Sequence, residues 1–127
     1  MSALLTGLLV CLLGGLGAMA RFTVDGAVRQ RWSTTFPAGT MAVNVSGSFL
    51  AGVLAGATAA GALGESAAAA AVTGFCGGYT TFSTAMADTV RLARDGEVLR
   101  AACNAVGTAA LTVLAVLVGL AATTSLL

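Results

Sequence analysis

Residues 74–88 read GFCGGYTTFSTAMAD, and their reading decides how the chain is organised. They follow the alanine run Ala67–Ala71, which could continue as a plain apolar helix. Instead, three glycines (Gly74, Gly77 and Gly78) fall within five residues, and Thr80, Thr81, Ser83 and Thr84 then surround Phe82. Glycine weakens a helix and permits non-helical backbone. At membrane depth, freed backbone groups are tolerated only where protein or an aqueous cavity surrounds them. The spacing therefore predicts a helix broken near Gly77–Thr80. Carbonyls at such a break can face a cation, while the N-terminus of the following half-helix favours an anion. The competing reading is that each hydroxyl simply bonds back to its own helix.

The flanking sequence makes membrane depth the relevant setting. The chain is 57% hydrophobic and 9% charged, against roughly 25% charged in ordinary soluble domains. Charge-free runs cover residues 1–20, 32–64, 66–87 and 101–127, and a bilayer core needs about 20 apolar residues per helical span. The expectation is an all-α integral membrane protein: one domain over residues 1–127 with spans near 3–20, 40–61, 66–88 and 99–122. An Ala/Gly-rich soluble helical protein would have nothing polar to cover its outer helix faces. The tetrapeptide GAMA before Arg21 resembles a signal-peptidase site, but MSALLTG offers no basic side chain and three further spans follow.

Several functional classes drop out. Cys11, Cys76 and Cys103 lie in different spans with no metal-like spacing, so they read as small apolar packing residues rather than a disulfide framework or zinc site. The net charge is +1, and no basic patch interleaved with aromatics points to nucleic acid. The sequence has no histidine, no intramembrane carboxylate pair and no phosphate-binding glycine pattern, so enzyme chemistry lacks its usual groups.

The arginines set an orientation. Arg21, Arg29 and Arg31 fall in the first loop and Arg91, Arg94 and Arg100 in the third, on the same side of a four-span chain; the second loop holds only Glu65. The positive-inside rule then places both arginine-bearing loops in the cytoplasm and both termini outside.

Polar residues inside the spans carry the remaining signal. Asn44, Ser48, Gly52, Gly56 and Ala60 are spaced by four and share one helix face. Small residues at that spacing let helices approach closely in lipid, and Gly52 and Gly56 read as a packing face. An amide in the hydrocarbon region is costly unless satisfied, so Asn44 either binds another helix or lines a water-filled path. In the last span Asn104, Thr108 and Thr112 form a polar stripe, open to the same two readings. Phe82 could present its positive ring edge to an anion.

Taken together, GGLGAMARF (14–22), FPAGTMAVNVSGSFLAG (36–52) and GFCGGYTTFST (74–84) resemble the Fluc/CrcB family of bacterial fluoride channels, in the same order and spacing over nearly the whole chain. The resemblance implies four-helix subunits paired antiparallel, with two fluoride pathways along the interface that export fluoride passively across the bacterial cell membrane. It implies a pore asparagine at Asn44 and a first pore phenylalanine at Phe82. The hydroxyl track it implies runs through Thr81, Ser83, Thr108 and Thr112. It also implies a structural sodium at the dimer centre, held by backbone carbonyls of Gly77 and Thr80. Arg21 ends the first helix, and Asp88 stands where the family commonly has glutamate.

Two positions depart from that pattern. The second pore phenylalanine is replaced by Ala85, and a helix-4 tyrosine aligns with Asn104. An antiparallel homodimer also needs one sequence to insert both ways, which the one-sided arginines oppose. These points lead to the expectation of a homologous partner subunit of opposite bias that supplies the missing rings. A homodimer, or a degenerate partner subunit without a working pore, remains an alternative. A small multidrug-resistance-type exporter needs a carboxylate inside its first span, and residues 1–20 contain none.

Overall fold

A computed structural model describes residues 1–127. All of its regular elements are helical: α1 (Ala3–Arg31), α2 (Ala38–Ala59), α3 (Glu65–Ala69), a π-helical stretch (Ala70–Cys76), α4 (Gly77–Tyr79), α5 (Phe82–Arg94) and α6 (Val98–Leu126). Only α1, α2 and α6 are long and apolar enough to cross a membrane as single helices. The fourth expected span, 66–88, is instead assembled from pieces of the 65–94 region.

The first helix runs well past residue 20. Its last turns carry charge, yet Asp25 and Arg29 lie one turn apart and pair at 3.0 Å on the helix surface, the favourable i, i+4 arrangement. The charges mark where the helix leaves the apolar layer, not where it stops. The loops after α2 and α5 turn on Gly61 and Gly96, both with positive φ (75° and 79°). In each case the glycine N–H bonds the third-last carbonyl of the capped turn, and the next N–H reaches one residue further back (Ala62 to Ala57, Glu97 to Leu92). Glycine takes that left-handed position without steric cost.

Packing is glycine-mediated. α2 and α6 form the most extensive helix pair. A Cβ at Gly52 would overlap the Val116 carbonyl oxygen, and one at Gly119 would overlap that of Phe49. Gly56 meets Leu120 and Thr123 in the same way, so Gly52 and Gly56 do form the expected packing face. α1 lies equally close to the broken segment, where a Cβ at Gly78 would run into the Gly14 carbonyl oxygen. Gly77 and Gly78 are helical here, and the non-helical backbone falls just beyond them at Thr80 (φ −81°, ψ 162°) and Thr81 (φ −149°, ψ 118°).

Only 20 of 127 residues are buried, and leucine, valine and phenylalanine side chains of α1 and α6 point outward. A soluble monomer would not leave so much contiguous apolar surface uncovered. Cys11, Cys76 and Cys103 are separate free thiols.

Candidate functional site

The two extended residues between α4 and α5 are held from outside their own segment. Asn44 on α2 donates from Nδ2 to the Thr81 carbonyl at 2.9 Å, and its Oδ1 accepts the Thr81 N–H at 2.7 Å. The buried amide thus replaces both helical partners of one peptide pair, as a costly intramembrane amide requires. The Thr81 N–H would otherwise close on the Gly77 carbonyl four residues back, which it does not reach. Arg21, near the middle of α1, donates from Nη1 to the Thr80 carbonyl at 3.1 Å.

The hydroxyls of TTFST divide their labour. Thr80 Oγ1 donates back to the Cys76 carbonyl at 2.8 Å and closes α4. Thr81 is the N-cap of α5: its Oγ1 accepts the Thr84 N–H at 3.2 Å and donates to Thr84 Oγ1 at 3.0 Å. The back-bonding reading is therefore correct for Thr80, whereas Thr81 serves the helix that follows it. Ser83 is exposed at the start of α5 and approaches Thr81 Oγ1 only at 3.5 Å.

An open cavity of about 270 Å³ lies between α2, the break and α6, walled by Asn44, Ser48, Thr81, Phe82, Thr108 and Thr112, with Ala85 and Met86 at its side. It gathers the expected pathway residues except Ser83. Thr112 Oγ1 donates to the Thr108 carbonyl at 2.7 Å. Thr108 Oγ1 is buried and has no hydrogen-bond partner, an unusual state for an interior hydroxyl. The Phe82 ring is 80% exposed at the rim.

Asn104 does not continue the stripe into this cavity. Its Nδ2 donates to the Ala85 carbonyl (3.2 Å) and to Thr89 Oγ1 (2.9 Å), tying α6 to α5. Ala85 and Asn104, the two departures from the family pattern, are therefore in direct contact, at 2% and 1% exposure. Asp88 is buried; its Oδ2 accepts from Thr40 Oγ1 at 3.1 Å and its Oδ1 pairs with Arg91 at 3.1 Å. The apolar pattern singled out neither Met86 nor Thr40, because their relevance comes from neighbours on other helices.

A broken central segment, held by an asparagine and an arginine from neighbouring helices beside a hydroxyl-lined cavity and packed among apolar helices, defines a small polytopic membrane protein. The chain itself belongs to the family described as CrcB-like protein, Camphor Resistance (CrcB), whose profile matches residues 8–120. Among its relatives, Fluoride-specific ion channel FluC 2 of Mycobacterium tuberculosis (strain CDC 1551 / Oshkosh) is 46% identical over 110 residues, covering 87% of this chain and 84% of that one. FluC 2 of Natronomonas pharaonis is 49% identical over 119 residues, covering 94% and 95%. Fluoride-specific ion channel FluC 1 of Leifsonia xyli subsp. xyli is 45% identical over 100 residues, covering 79% and 73%.

Proposed function

We propose that the chain is a subunit of a fluoride-specific ion channel that lowers cytoplasmic fluoride by passive efflux. The observation that carries this reading is the cavity wall shared by Asn44, Thr81, Phe82, Thr108 and Thr112, with the unpartnered Thr108 hydroxyl buried behind it. A donor left free at membrane depth suits a small anion that accepts strong hydrogen bonds, while the ring edge of Phe82 adds favourable electrostatics without a fixed cation. The names of the relatives agree with it. Asn44 acts through Thr81, fixing the backbone of a residue that caps α5 and lines the cavity.

A sodium ion fits the same break. The Gly77 carbonyl has lost the Thr81 N–H, and the Thr80 carbonyl already accepts from a cationic group while keeping a second lone pair. Carbonyl oxygens of these two residues would hold the ion, which would supply a fixed central charge and cross-link two subunits. Arg21 and Asp88 then sit beside the pathway, on the side where the arginine-bearing loops face the cytoplasm and the termini face out.

The pathway is completed by a second subunit packed antiparallel. The cavity is open along one side and Phe82 stands 80% exposed at its rim, so a pore needs a second wall. A homologue of opposite arginine bias is favoured over a second copy, because the one-sided arginines oppose dual insertion. Ala85 is buried under Asn104, so a second ring is supplied by the partner.

The test is fluoride efflux from liposomes containing the purified chain, alone and with a co-expressed homologue of opposite bias, read by a fluoride electrode. Fluoride efflux with chloride retained is expected, larger for the pair. Absence of fluoride efflux in both preparations refutes the channel, and full efflux from a symmetric antiparallel dimer of this chain alone refutes the heteromer.

A further inference from the structure

The cavity walled by Asn44 and Thr108 is not the only one that Thr81 lines. A second, of about 260 Å³, lies on the α1 side of the break and is walled by Arg21, Phe22, Asp25, Thr40, Thr81 and Thr84. Further out, a basin of about 340 Å³ lies among Arg29, Thr34, Thr35, Arg91, Asp95 and Glu97. Asp25 lines the inner space and Arg29 the outer one, and the two side chains are joined: Arg29 Nε lies 3.0 Å from both carboxylate oxygens. The carboxylate presses on the start of α2 at Gly39, where any Cβ would overlap Asp25 Oδ1.

The charges around this junction are few. Arg21 and Asp25 line the inner space, and Arg29, Arg91, Asp95 and Glu97 line the outer one; Asp88 lines neither and is committed to Thr40 and Arg91. Asp25, with 27% of its side chain exposed, is the one carboxylate that walls the inner space. Thr81 and this carboxylate wall the same space, so an anion that reaches Thr81 from that side meets the carboxylate's charge. That charge is offset by the paired Arg29, and Arg21 stands on the same wall.

Resting on the fluoride-channel reading, we infer that Asp25 and Arg29 form a charge-setting pair at the arginine-loop mouth and determine how readily fluoride enters the path to Thr81. Neither residue is needed to hold the break, which is fixed by Asn44 and Arg21. The pair acts through the local potential, so its effect falls on the concentration dependence of entry and is screened by salt.

The experiment measures initial fluoride efflux against fluoride concentration in reconstituted liposomes, at about 0.01 M and about 1 M gluconate salt, over which the Debye length falls from about 30 to about 3 Å. For Asp25→Asn the half-saturating fluoride concentration is expected to fall about threefold at low salt. For Arg29→Gln it is expected to rise about threefold, with Arg29→Lys restoring it. All variants should converge at high salt. If Asp25→Asn fails to fold, Arg29→Gln still tests the sign. The inference is overturned if the substitutions lower the maximal rate while half-saturation stays fixed, or if the shifts are the same at both salt levels. Absence of fluoride flux from the native chain both alone and with its co-expressed partner refutes the channel reading itself, an outcome distinct from unshifted variants of a working channel.

Discussion

Replacing Asn44 tests whether the break depends on an interaction from outside its own segment. Asn44→Ala removes two hydrogen bonds to one residue, at 2.9 and 2.7 Å. It leaves the Thr81 N–H and C=O unpaired beside a residue that is 6% exposed. Side-chain hydrogen bonds in membrane proteins average about 0.6 kcal/mol, whereas an orphaned buried group costs about 1–3 kcal/mol. Two bonds therefore put the loss between about 1 and 6 kcal/mol, with about 2 kcal/mol as the central expectation. Asn44→Asp separates bonding from volume, because a carboxylate can still accept the Thr81 N–H but faces the Thr81 carbonyl with an acceptor. It should destabilise at least as much as alanine, although it is nearly isosteric. The assay is reversible denaturant unfolding in detergent micelles, with fluoride efflux measured in parallel. A loss under about 0.5 kcal/mol for both variants, within the range of ordinary surface substitutions, would mean that the break holds itself and that Asn44 is only a wall residue.

Thr108→Val removes a hydroxyl that has no protein partner, so stability should stay level or rise by up to about 1 kcal/mol, while fluoride efflux falls; equal losses in both would make the hydroxyl structural. Gly78→Ala forces a methyl into the Gly14 carbonyl and should cost about 1–3 kcal/mol, whereas at Gly77 the nearest atom is 3.8 Å away and alanine should be tolerated. Thermal unfolding of the two variants checks the contrast, and similar midpoints refute it. Ala85→Phe places a ring at a site that is 2% exposed beneath Asn104. It should cost about 1–3 kcal/mol of overpacking, measured in the same unfolding assay, and native stability would show instead that the ring can swing into the cavity.

The membrane class and the glycine face of α2 were legible because each depends on local composition or on spacing within one helix. The length of α1 was hidden: charges at Arg21, Asp25 and Arg29 look like the end of a span, yet a one-turn pair keeps them helical. The break was legible only in outline. The glycines suggested freed backbone from Gly77 onward, but Gly74 and Gly78 serve close contact with α1, Gly77 has space around it, and the extended backbone falls on Thr80 and Thr81. What displaces it is a partnership between positions 44 and 81, and no pattern within 74–88 encodes a bond reaching 37 residues away. Asn104 stayed open between two readings for the same reason, since only packing tells which neighbour an i, i+4 stripe faces, and it ties α6 to α5.

The way the break is held has a consequence for how this chain can drift. Arg21 and Asn44 grip peptide oxygens and an amide hydrogen, which every residue other than proline presents alike. Position 80 could change its side chain and still offer Arg21 the same carbonyl. Asn44 has no such latitude, because no other side chain offers a donor and an acceptor at that reach, and Arg21 could yield only to another long donor such as lysine. The instructions for the most irregular backbone in the molecule are thus written in two regular helices, while the hydroxyls of the irregular residues close one short helix and cap the next.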